Sequence, residues 1–91
     1  MQEKKRGRMD IIHDILAIIQ DKQGRIKPTH LMYKANLSHK QMRLYLDELI
    51  KGKMIEEEEN EGRKMILINK KGREFLSKYL QMREFEKTFG L

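Results

Sequence analysis

A chain of 91 residues with no cysteine and a formal charge of +6 fits one small domain, since a chain this short buries only roughly 60 to 65 per cent of its unfolded surface. The missing cysteines exclude a disulfide framework and a thiolate metal site and favour an intracellular location. No apolar run approaches the eighteen or so residues that span a bilayer, and no signal-peptide core follows the charged MQEKKRGR opening.

The charge is uneven. Residues 1–53 hold twelve Lys and Arg against six Asp and Glu, residues 54–68 hold two against five, and residues 69–91 hold six against three. A basic chain suits a polyanionic partner, although many small intracellular proteins are basic without binding nucleic acid.

Residues 1–8 read as a basic flexible arm, because nothing between Met1 and Met9 has an apolar surface to bury. Its Lys4, Lys5, Arg6, Gly7, Arg8 run resembles the Arg-Gly-Arg minor-groove reader of AT-hooks, but Met9 stands where those continue with proline. A phosphate or minor-groove arm and a solvated tail are both open. From Arg8 to about Lys22, Ile11, Ile12, Ile15, Leu16, Ile18 and Ile19 recur at helical spacing and predict the first helix. His13 falls on its polar side. Gly24 follows the end of that helix, and Arg25, Ile26 and Lys27 form an extended link that can pair as a lone strand. Pro28 holds Lys27 extended.

Thr29 is expected to cap a second helix running to about Ala35, with Leu31 or Met32 and Ala35 buried and Tyr33 packed. Asn36 tolerates the left-handed conformation of a helix end. Ser38 and Gln41 have capping-box spacing and open a third helix, Ser38 to about Lys51, which Gly52 ends. Two helices joined by so tight a corner form a helix-turn-helix. Met42, Tyr45, Leu46, Leu49 and Ile50 gather on one side of the third helix, with Lys40, Asp47 and Lys51 on the other. Leu44 lies amid the polar face, either as a single exposed leucine or as a contact for a thymine methyl or a partner.

MIEEEENEGRKMILI predicts a β-hairpin with strands Met54–Glu58 and Lys64–Ile68 around an Asn60, Glu61, Gly62 turn. Period two turns Ile55, Ile66 and Ile68 to the core and Met65 and Leu67 away. Asn69 can cap a last helix in which Phe75, Leu76, Tyr79 and Leu80 return to the domain. Tyr79, Met82, Phe85 and Phe89 then continue the apolar stripe past the end of so small a domain. Either a second copy covers these four residues or they pack on the chain's own first helix.

Helix, link, helix-turn-helix, hairpin, helix is the winged-helix order. MYKANLS (Met32–Ser38), LYLDELIKGKMI (Leu44–Ile55) and INKKGREFL (Ile68–Leu76) resemble an archaeal winged-helix DNA-binding family that includes small, basic, dimeric chromatin proteins and is similar to winged-helix transcriptional regulators. The resemblance covers about residues 8–80. It implies an α+β, mostly helical fold, a three-helix core with a two-stranded wing over residues 9–80, and a C-terminal helix over 69–91 whose distal part, 81–91, pairs with a mate. It also implies double-stranded DNA as partner and a cytoplasmic, nucleoid-associated place. The last helix is short for a long dimer rod, and Glu56 to Glu59 would repel phosphates along the wing; both depart from the family.

On a winged helix, His39, Lys40 and Arg43 lead the face that would enter a major groove, with Leu44 and Asp47 behind. A solvated charged face is the plainer alternative. Thr29 and His30 could hold a phosphate at a helix N-terminus or serve only as capping residues. Arg63 and Lys64 sit at the wing tip, beyond the glutamates. Nothing marks an enzyme, a cofactor or a metal: there is no glycine-rich phosphate loop, and His13, His30 and His39 lack metal-motif spacing. The function expected is homodimeric DNA binding as a transcriptional regulator or chromatin-architectural protein. A protein-docking winged helix with an acidic wing is the alternative.

Overall fold

Residues 6–91 are described in the computed structural model, where the aliphatic spacing resolves into α1 (Arg8–Asp21), β1 (Arg25–Ile26), α2 (Pro28–Ala35), α3 (His39–Lys51), β2 (Ile55–Asn60), β3 (Arg63–Ile68) and α4 (Lys70–Phe89). The sheet is antiparallel throughout in the order β1-β3-β2. The wing therefore has three strands rather than two, because Arg25 and Ile26 pair with Leu67 and Ile66. Ile15, Leu16, Ile19, Leu31, Ile55 and Ile66 form the fully buried centre, where each such side chain contributes about 1.5–3 kcal/mol.

The corner between α2 and α3 follows the expected chemistry. Asn36 is left-handed at φ 56° and ψ 51°, and the Leu37 N–H returns to the Met32 carbonyl at 3.2 Å, which closes α2. Leu37 is buried. Ser38 Oγ accepts from the Gln41 N–H at 3.1 Å while Gln41 Oε1 accepts from the Ser38 N–H at 3.0 Å. Two of the four free donors at the start of α3 are thus satisfied.

Other ends differ from expectation. Thr29 does not cap α2: Lys27 is the extended N-cap and Pro28 the first helical residue, a position that suits a ring with preset φ and no N–H. Gly52 does end α3 as its C-cap, but at φ −79°, and the left-handed residue is the following Lys53, at φ 61°. The wing turn is the two residues Glu61 and Gly62, at φ 53° and 79°; two positive φ values match the twist of a tight hairpin, so the strands run longer than predicted. Asn69 precedes α4, but its side chain donates to the Lys53 carbonyl at 3.2 Å instead of capping the helix. Ile55, Ile66 and Ile68 are buried as period two requires, while Met65 and Leu67 are half-buried rather than open.

Gly72 allows α4 to start where it does. A Cβ there would lie 2.5 Å from the Met54 carbonyl oxygen and 2.8 Å from Ile68 Cγ1, so the helix backbone rests directly on the end of the sheet. Farther along, Tyr79 is buried against α1. Its hydroxyl donates to Asp10, and its ring stacks on His13 with centroids 4.3 Å apart.

Candidate nucleic-acid interface

The inward residues of α3, Met42, Leu46 and Leu49, fix its rotation and leave His39, Lys40, Arg43, Leu44 and Asp47 exposed. Arg43 is already engaged: Nε and Nη2 donate to Asp47 Oδ1 at 3.0 and 2.7 Å, and Nη1 lies 4.0 Å from Glu57 Oε2 of the wing. Among the described residues, Lys40 and His39 make no side-chain hydrogen bond or ion pair. Leu44 is 63% exposed and shares a shallow cleft with Arg8, Tyr45 and Glu48.

Two depressions adjoin beside this helix. A cavity of about 90 Å³ is lined by Pro28, Thr29, Met32, His39, Met42, Arg43 and Leu46. A wider groove of about 540 Å³ is lined by Lys27, Pro28, Thr29, Gly62, Arg63 and Lys64. Pro28 and Thr29 belong to both, so the start of α3, the start of α2 and the wing tip share one continuous surface. That surface gathers Thr29, His39, Arg43, Arg63 and Lys64, and it adds Lys27, which the periodicity of the sequence does not single out. The short β1 pairing carries Lys27 to the wing, and a two-residue strand leaves almost no period to read. His30 is exposed on α2 but lines neither depression.

The four wing glutamates divide between the two faces of the sheet. Glu57 stands opposite Ile66 and Glu59 opposite Lys64, while Glu56 and Glu58 stand opposite Leu67 and Met65. Glu58 accepts from Arg25 Nη2 at 3.3 Å. Tyr33 overturns its expected packing: the ring is 85% exposed. Leu31 and Ala35 fill the inner side of a helix only eight residues long, which leaves the phenol outward.

Of the proposed arm, Lys4 and Lys5 lie outside the described residues. Arg6 donates to Asp14 at 3.0 Å and to the Asn36 carbonyl at 3.3 Å, and Arg8 pairs with Glu48. Both are laid onto the head, next to the helix-turn-helix corner and to α3.

At the other end, the face of α4 bearing Tyr79 is occupied within the chain. Arg83 Nη2 donates to Asp10 at 2.8 Å, and Arg83 Nε donates to the Tyr79 hydroxyl at 3.2 Å. The Tyr79 hydrogen bond, then the Gly7 N–H and Arg83, hold the Asp10 carboxyl below its usual range, and the same hydrogen bond from Tyr79 raises the phenol above its own. Met82, Phe85 and Phe89 remain exposed at i, i+3, i+7 spacing, together with Leu80 and Leu91. Among the described residues no group of acidic and histidine side chains is arranged to hold a metal, and no helix is long and apolar enough to cross a membrane.

The sequence matches a family model described as winged helix-turn-helix over residues 5–87. No curated protein matches it significantly. Among solved structures, Sso10a-2, a DNA-binding protein from Sulfolobus solfataricus, superposes with a TM-score of 0.74 at 25% identity, over 93% of this chain and 90% of that one. F93 from STIV, a winged-helix DNA-binding protein, does so with a TM-score of 0.75 at 21% identity, over 92% and 95%. MepR, a transcription regulator of the multidrug efflux pump MepA in Staphylococcus aureus, gives 0.75 at 16% identity, over 88% and 62%.

Proposed function

Because the chain belongs to the winged helix-turn-helix family, we propose that it binds double-stranded DNA, with α3 in the major groove and the start of α2 and the wing tip on neighbouring phosphates. The observation that carries this reading is the surface shared through Pro28 and Thr29. It offers base-reading groups, His39 and Arg43, and phosphate-facing groups, Lys27, Thr29, Arg63 and Lys64; Lys40 and Leu44 are exposed on α3 outside those two depressions and would add to the base-reading set. His30 would meet the backbone at the flank. Lys4, Lys5, Arg6 and Arg8 would extend the contact, Arg6 and Arg8 by exchanging Asp14 and Glu48 for phosphates. The chain then acts as a non-enzymatic binder in the cytoplasm, associated with the nucleoid.

The same reading makes the protein a homodimer. At about 1.5 Å per residue, twenty residues of α4 extend about 30 Å. Its distal part, residues 81–91, carries Met82, Phe85 and Phe89 to a place where the chain's own head does not cover them. A second copy would bury them and set two heads on one duplex, as symmetric regulators do. Tyr79, grouped with these residues in the sequence pattern, orients the helix from inside the head. Selection of bound sequences from a random duplex pool tests the role: a sharp motif marks a transcriptional regulator and its absence an architectural protein. Failure to retain any duplex at low salt would refute both.

A further inference from the structure

Arg43 is restrained from two elements, and the second restraint comes from the wing. Asp47 is one turn along the same helix, as expected of a local surface pair. Glu57 belongs to β2. It stands opposite Ile66, which is fully buried, so it leaves the sheet on the face that packs against the helices and emerges beside α3. The pair stands at the surface, with 31% of the Glu57 side chain and 46% of the Arg43 side chain exposed, so the restraint is a modest one. One guanidinium therefore faces two carboxylates, so these three side chains together carry one negative charge.

Resting on the DNA-binding reading, we propose that Glu57 restrains Arg43 and so acts as a specificity-determining residue, making Arg43 a poor partner for phosphate while leaving it able to meet a guanine edge. A guanidinium has five N–H donors, of which Asp47 occupies two. A phosphate taking the remaining edge would bring a full negative charge against Asp47 and Glu57. Guanine presents N7 and O6, which are neutral acceptors and do not incur that repulsion to the same degree. The pair of carboxylates thus discriminates between two kinds of acceptor on the same polymer. Arbitrary duplex is penalised and the correct base step is largely spared.

The test compares the 91-residue chain with its Glu57→Gln and Glu56→Gln variants, binding an arbitrary duplex and the best duplex selected from a random pool. Glu56 carries the same charge but stands opposite Leu67, on the other face of the strand. Glu57→Gln should tighten binding to the arbitrary duplex by roughly threefold or more, with a smaller gain on the selected duplex. It should also steepen the salt dependence by about one phosphate contact. Adding Arg43→Ala should abolish the gain, and circular dichroism checks that each variant is folded. The proposal is overturned if the two glutamine variants behave alike, if the gain survives without Arg43, if selection yields no preferred sequence, or if Glu57→Gln changes nothing. If the unmodified protein binds no duplex, the DNA-binding reading fails and the restraint falls with it, an outcome distinct from the others.

Discussion

The hydroxyl of Tyr79 donates to the carboxylate of Asp10, and this bond joins the first and last helices of the domain. Arg83 closes the arrangement by donating to both residues, and His13 stacks on the phenol. The contact fixes the direction in which the apolar end of α4 leaves the head.

The pH dependence of stability should report this contact. Asp10 is held below its usual value of 3.8 in the folded chain, so its contribution is present above that value and is lost as pH falls through the lower folded pKa. Tyr79 is raised above 10.0, so its contribution is present below pH 10 and is lost as pH rises further. Asp10→Asn should therefore be less stable than the parent at neutral pH, with the difference shrinking in acid below the ordinary carboxylate range. Urea unfolding at a series of pH values measures this; a difference that does not change with pH would contradict it.

Gly72→Ala should destabilise the head even though alanine is the better helix former by about 1 kcal/mol. The new methyl would stand 2.5 Å from the Met54 carbonyl oxygen, and backbone cannot rotate aside as a flexible side chain can. Overpacking of this kind costs about 1–3 kcal/mol. Chemical denaturation should show a lower midpoint, and an unchanged or higher one would mean that α4 shifts without cost.

Removing the cap of α3 with Ser38→Ala should cost about 1 kcal/mol of stability, because the Gln41 N–H loses its acceptor. The melting temperature reads this directly. A change within error would mean that water replaces the hydroxyl fully.

Placing a charge in the apolar stripe with Phe85→Glu should dissociate the proposed dimer while leaving the head folded, since Phe85 is 57% exposed and lies beyond the buried core. Light scattering at high micromolar concentration should give a dimer mass for the parent and a monomer mass for the variant. A parent that is already monomeric contradicts the role given to α4.

Much of this architecture is legible in the amino-acid sequence because its local signals agree with the tertiary ones. Ser38 and Gln41 announce their cap at fixed spacing, Asn36 permits the corner, and the isoleucines of α1 and β3 repeat at the periods of helix and strand. Elsewhere, competition decided the outcome. Pro28 took the first helical position, which put the cap at Lys27 rather than Thr29, and Asn69 spent its amide on Lys53 instead of on its own helix. Tyr33 is expected to pack, yet the short α2 turns only Leu31 and Ala35 fully inward and leaves the phenol outside. The site is legible only in part for the same reason. Helical spacing shows which residues of α3 face outward, but only the fold brings Lys27 to Arg63 and Glu57 to Arg43, since no period links a wing strand to a helix ahead of it.

The central claim is that α3 and the groove beside it hold duplex DNA, and the salt dependence of affinity tests it most directly. Binding of the 91-residue chain to a short duplex should weaken steeply between about 50 and 200 mM salt, as several phosphate contacts require, and replacing Lys40 and Arg43 with alanine should weaken it further without unfolding the chain. Affinity that is absent at the lowest salt, or that is unchanged by those two substitutions, would contradict the assignment.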